Sequence, residues 1–204
     1  MSRERHSPET MRRFGGGGIS AFAEMLVIGL GITALALPLV TLVPALAAGT
    51  RHLDEHLEHR GDSLRDLFRL GWQAIRAGWL FGLASLAVLA LLLINVALGL
   101  QGLVPGGAAL AVVSGVLAVV VAVVVCRVAS LWSPGRRWAD LWRSGRTLAI
   151  DDPIGSFFVL LGILVSVTVV WMLPPLIVIA PGLLAVSIVA AERRRRAVSR
   201  AERV

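Results

Sequence analysis

The sequence has no lysine, no tyrosine and a single cysteine in 204 residues. Cys126 alone excludes an internal disulfide and a metal cluster built from cysteines. With lysine absent, all 20 basic side chains are Arg, which reads as a GC-rich coding bias and not as a mechanism. There is no glycine-rich phosphate loop ahead of a helix, no motif pairing a nucleophile with a base, and no zinc motif of the strong kinds. Catalysis therefore has no foothold, and neither an enzymatic activity nor a cofactor is expected. The net charge of +7 is not spread as a nucleic-acid footprint would be. It sits between and after the apolar runs, where positive charge sets membrane topology, so no nucleic-acid partner is expected.

What is present is apolar length. The chain is 56% hydrophobic with a mean hydropathy of +0.79, against about 45–50% apolar residues in a soluble domain. The excess is gathered into long runs almost free of charge. The pattern predicts an all-α, polytopic transmembrane bundle of about five spans, near 19–43, 77–100, 107–131, 153–173 and 175–191, with two amphipathic helical loops in the cytoplasm. A flexible polar tail (1–18) ends in Gly15-Gly16-Gly17-Gly18, a single membrane domain covers 19–191, and a basic cytoplasmic tail covers 192–204.

The organising stretch is Leu37-Pro38-Leu39-Val40-Thr41-Leu42-Val43-Pro44-Ala45. Pro38 and Pro44 cannot both sit in an undisturbed helix, because each lacks an N–H and clashes one turn back. The backbone is expected to break there, with Thr41 returning a hydrogen bond through its hydroxyl. Small Ala45, Ala47 and Ala48 then let another span approach. The best-shaped partner is a stripe on the third run, Ser114, Ala118, Ala122 and Cys126. Gly78 and Gly82 form a GxxxG pair in the second run.

Arg12-Arg13, the first apolar run and Ala45-Leu46-Ala47 imitate a signal peptide. The run is longer than the about 7–15 residues of an h-region, so a retained span is expected. The loops after the second and fourth runs carry no Arg. Positive-inside then places Arg51–Arg76, Arg127–Arg146 and the C-terminus in the cytoplasm. Five crossings leave the N-terminus outside. A re-entrant pairing of Leu39–Gly49 with Ile19–Leu37 would return it inside, as Arg12 and Arg13 favour. Trp72, Trp79, Trp132, Trp138 and Trp142 fall on the proposed cytoplasmic boundary and Trp171 on the other, as an interfacial belt.

A short internal repeat aligns Leu64–Gly71 with Trp138–Gly145 through Asp-Leu-aromatic-Arg-x-Gly. It suits an interfacial helix bending near its Gly into the following span. Leu37-Pro38-Leu39-Val40-Thr41 with small residues after it, Asp66-Leu67-Phe68-Arg69, and the late Pro181-Gly182-Leu183 together resemble the bacterial YesL family over about 19–191. The resemblance implies a small multi-pass membrane protein often encoded beside carbohydrate uptake genes, notably sugar ABC transporter components, and supplies no catalytic residues.

His52, His56 and His59 recur at i, i+4 and i+7, an arc that suits a transition metal. With no further ligand or supporting shell they read instead as a solvated face beside the edge Leu46, Leu53, Leu57 and Leu64, and no metal is expected. Glu24 and Asn95 are the candidate intramembrane polar residues. They meet if the N-terminus is outside. Arg127 is the partner for Glu24 if it is inside. The functional class expected is a non-enzymatic membrane accessory or interaction protein, its partners being anionic headgroups and, through the resemblance, sugar ABC transporter subunits or a second copy of itself. The alternative is a small transporter acting as an oligomer.

Overall fold

A computed structural model describes residues 30, 41–57, 64–102, 105–173 and 180–201. Among them the chain is all-helical. The helices are α1 (Leu42–Leu57), α2 (Leu64–Leu100), α3 (Gly107–Ser130), α4 (Trp138–Asp151), α5 (Pro153–Met172) and α6 (Ala180–Ala201). Three of these are long and apolar enough to cross a membrane: α2 over Leu67–Leu100, α3 and α5.

The surface of these three helices is inverted relative to a water-soluble bundle. Leu80, Leu83, Leu91 and Ile94 of α2, Val112 and Val116 of α3, and Phe157, Leu164 and Val167 of α5 all face outward. Along most of their length what they bury is small: Gly71, Ala74, Gly78, Gly82, Ser85 and Gly99 on α2, Gly107, Ala111, Ser114 and Ala118 on α3, and Gly155, Gly162 and Ser166 on α5. The larger buried side chains are Leu67 and Leu70 at the start of α2, those of residues 123–128 at the end of α3, and Val159 on α5. Lipid tails are as apolar as leucine, so spans gain little by burying large side chains. They gain by bringing backbones close through small ones. A contiguous exposed apolar surface of this extent marks contact with membrane or partner, and together with the three apolar helices it points to a membrane protein.

α2 and α3 form an antiparallel pair joined by a turn in which Gly102 and Gly106 hold positive φ of 69° and 75°. At its base the backbones touch: a Cβ on Gly99 would collide with the Gly107 carbonyl oxygen. α5 and α6 form a second pair, and α1 packs against α2, α3 and α6. Ala45, Ala47 and Ala48 are fully buried in one cluster with Val124, Val125, Cys126 and Ala129 of α3 and Ala185 and Ile188 of α6.

Several expectations are revised. Pro44 lies at the start of a described helix, and the stretch before Thr41 lies outside the described residues. It is the third residue of α1, in the first turn, where no intrahelical N–H bond is lost and its fixed φ suits the helix. Thr41 is buried at the same end, whereas Pro38 and Glu24 lie outside the described residues. The small stripe of α3 is buried at three of its four positions. Cys126 belongs to the cluster around the α1 alanines. Ser114 and Ala118 are buried as well. Ala122 is half-buried.

Neither helix ends at its repeat glycine; after the second copy the chain breaks only at Asp152, between α4 and α5. Gly71 lies inside α2, which runs unbroken for 37 residues, about 55 Å at helical rise. Gly145 lies inside α4 against Val128. The two copies do share a burial pattern, with Leu67 and Leu141 fully buried. The tryptophans are not all a belt. Trp132 and Trp138 are buried and stack at 6.5 Å, and Phe81 stacks on Trp138 at 5.1 Å. Trp72, Trp79 and Trp171 are exposed. His52 is buried and not on a solvated face, because α1 is enclosed by three helices. The His56 side chain and His59 lie outside the described residues. The first predicted span falls almost wholly outside them too, and the fifth is described from Ala180. From there α6 continues through the 191/192 boundary to Ala201 without a change of structure.

Candidate functional site

The polar chemistry gathers at one end of the bundle, where α1, α3 and α6 finish and α5 begins. Arg127 stands in the last turn of α3, where the helix dipole favours a cation. It is fully buried. Its Nη2 donates to Asp152 Oδ2 at 2.9 Å and to the Asp152 carbonyl at 3.2 Å, while its Nε is buried without a partner among the described residues.

Asp152 sits there because it caps α5. Its Oδ1 accepts from the Gly155 N–H at 2.9 Å, and Pro153 occupies the first helical position, where a missing N–H is harmless. Arg194 of α6 approaches Oδ1 at 3.7 Å. One carboxylate thus ties together three helices. Gly155 is required by closeness, since a methyl there would overlap both Asp152 Oδ2 and Arg127 Nη2. Burial pushes the Asp152 carboxyl up, but the Gly155 N–H, the Arg127 hydrogen bond and charge, and Arg194 outweigh it and hold the group below its ordinary value. A carboxyl so held stays ionised near neutrality and is poorly matched to general acid or base work.

A second knot joins α6 to α1. Arg193 Nε and Arg196 Nη1 donate to the two carboxylate oxygens of Asp54 at 3.1 and 3.0 Å, and Arg193 Nη2 donates to the Asp54 carbonyl at 3.1 Å. Glu192 Oε1 accepts from Arg195 at 3.1 Å and Arg196 at 3.4 Å. The arginine run is therefore a docked helix face. Arg51 and Glu55 form the i,i+4 pair that their spacing predicts. Beside these knots lies a cleft of about 560 Å³, bounded by Ser144 and Thr147 of α4, Asp151, Asp152, and Arg194 and Arg195 of α6. Its charges are mixed, and the Thr147 hydroxyl is spent on the Ser144 carbonyl at 2.9 Å.

The sequence candidates do not converge on this place. Asn95 is half-buried near the opposite end of α2 and makes no side-chain hydrogen bond to another described residue. Arg127, considered above as a partner for Glu24, pairs with Asp152, and Glu24 lies outside the described residues. Asp-Pro opening an apolar run is a cap signature that could have singled out Asp152. Nothing local announces the pairing of Asp54 with Arg193, 139 residues apart.

The Asp54 knot is partly exposed, so each of its ion pairs contributes on the order of 0.2–1 kcal/mol. Asp54→Asn should leave the global unfolding midpoint nearly unchanged. It should speed amide exchange over Glu192–Ala201 several-fold. Unaltered exchange there would show that these arginines do not hold the helix end.

No family model matches the sequence, and neither the curated proteins nor the solved structures contain a match.

Proposed function

We propose that the chain is a non-enzymatic accessory protein of the bacterial cell membrane, whose ion-paired end is a docking surface for other proteins. The observation that carries this reading is the division of the molecule. The outward faces of α2, α3 and α5 are apolar, and the ionic groups collect at one end around Asp54, Arg127 and Asp152. Five crossings follow if the apolar runs 19–43 and 175–191 complete the bundle. Positive-inside then puts the ionic end and the C-terminus in the cytoplasm. The YesL-like sequence elements favour a partner in carbohydrate uptake, the cytoplasmic or membrane subunits of an ABC-type sugar transporter.

The test is affinity purification of the tagged full chain from its native membrane in mild detergent. Transporter subunits should co-purify and be lost on charge reversal at exposed Arg143 and Arg200, which take no part in the knots. A chain that purifies alone, yet carries solute into liposomes, would overturn the accessory reading in favour of an oligomeric transporter. For topology, a reporter fused after Arg203 should be active only when its active side is the cytoplasm.

A further inference from the structure

A groove of about 470 Å³ runs between α3 and α5 and is closed at one end by α4. Its walls are carbon: Val120 and Val123 from α3, Phe157 and Leu160 from α5, and Ile150 from α4. Pro153 to Leu160 spans about 10 Å of helix, two-thirds of a leaflet of about 15 Å. The Ser156 hydroxyl on the wall is already committed to the Ala149 carbonyl at 2.9 Å. The one charged side chain among the lining residues is Arg146.

Arg146 differs from the arginines of the knots. Arg127, Arg193, Arg194 and Arg196 each have a carboxylate. Arg146 is exposed and makes no ion pair among the described residues. It lies on the amphipathic helix α4 at the ionic end, where the apolar surface of α3 and α5 stops. An unpaired guanidinium above an apolar slot of acyl-chain shape matches one chemistry, a phosphate monoanion carrying a hydrocarbon chain.

We propose that this groove is a site for one acidic phospholipid, with an acyl chain between α3 and α5 and the headgroup phosphate on Arg146. The site rests on the membrane reading but not on the accessory role. In a bilayer some acyl chain fills any such groove. Arg146 supplies the preference, because a phosphatidylglycerol brings a net negative charge and a phosphatidylcholine cancels its own.

The test uses the full chain in nanodiscs of equimolar phosphatidylglycerol and phosphatidylcholine. Gentle extraction and native mass spectrometry then count the retained lipid. One phosphatidylglycerol per chain is expected. Arg146→Ala should lower the preference for it about five- to tenfold, and Arg146→Lys, keeping the charge at an exposed position, should retain most of it. Arg143→Ala, on the same helix but outside the groove, should leave it unchanged. Val120→Trp should fill the groove and reduce retention of both lipids. Equal retention of the two lipids by the unaltered chain, or an Arg143→Ala loss as large as that of Arg146→Ala, would overturn the site and leave only a diffuse basic surface. Displacement by excess glycerol phosphate would overturn it in favour of a soluble anion. A chain that does not enter nanodiscs at all would instead overturn the membrane reading on which the site rests.

Discussion

Asp152→Ala should cost the bundle about 3–5 kcal/mol, the range for breaking a buried ion pair and leaving its partner uncompensated. Arg127 is fully buried, and its Nε already lacks a partner among the described residues. It has nowhere to send its charge once the carboxylate is gone. Unfolding in mild detergent micelles, followed by helical circular dichroism, would measure this. The double variant Arg127→Met with Asp152→Asn should recover most of the loss, because Asn still caps α5 and no charge is then buried. If the double variant is as unstable as the single one, the pair is not what couples α3 to α5.

The same carboxylate predicts an acid limit. Its folded value lies below the ordinary 3.8, so its stabilisation is complete above that value and is lost as the pH falls through the lower folded one. Asp152→Asn should remove this acid-side loss.

Gly99→Leu should cost about 3 kcal/mol, at the upper end for overpacking. The atom in the way is the Gly107 carbonyl oxygen, part of a helix backbone, and Gly107 in turn has the Gly99 carbonyl 2.7 Å from where its own Cβ would be. Neither side has a flexible side chain to move, so the pair must part. Gly115→Ala supplies the control. Its new Cβ would meet Val96 Cγ2 at 3.8 Å, an ordinary contact, and the variant should be nearly silent. Replacing either glycine improves helix propensity, so equal losses at the two positions would show that the close approach at Gly99 does not set the cost.

The apolar runs were readable because each is bounded by polar residues or turn glycines. The predicted spans 107–131 and 153–173 coincide with α3 and α5 within a residue or so. The run 77–100 is the second part of α2, whose beginning was misread because a change from amphipathic to apolar composition looks like a boundary. A helix can cross such a change freely, and an interior glycine costs only about 1 kcal/mol. Pro44 shows the two sides of proline, which breaks a helix interior but suits a first turn. Of the site, the arginines were visible as a charge run. That they close on Asp54 and Asp152 was not, because contacts between residues far apart in sequence leave no periodicity. The burial of Trp132 and Trp138 was equally hidden, as the same residue type serves an interface or a core.

The unbroken α2 has a mechanical consequence. At about 55 Å it exceeds a hydrocarbon core of about 30 Å, so nearly half of it projects beyond. With no hinge at Gly71, the segment Leu64–Arg76 cannot swing independently of the residues that follow. A protein that grips the projecting end turns a rigid lever, and because Gly99 is locked to Gly107 at the far end, the tilt it imposes is delivered to the adjacent α3 at the other end of the pair.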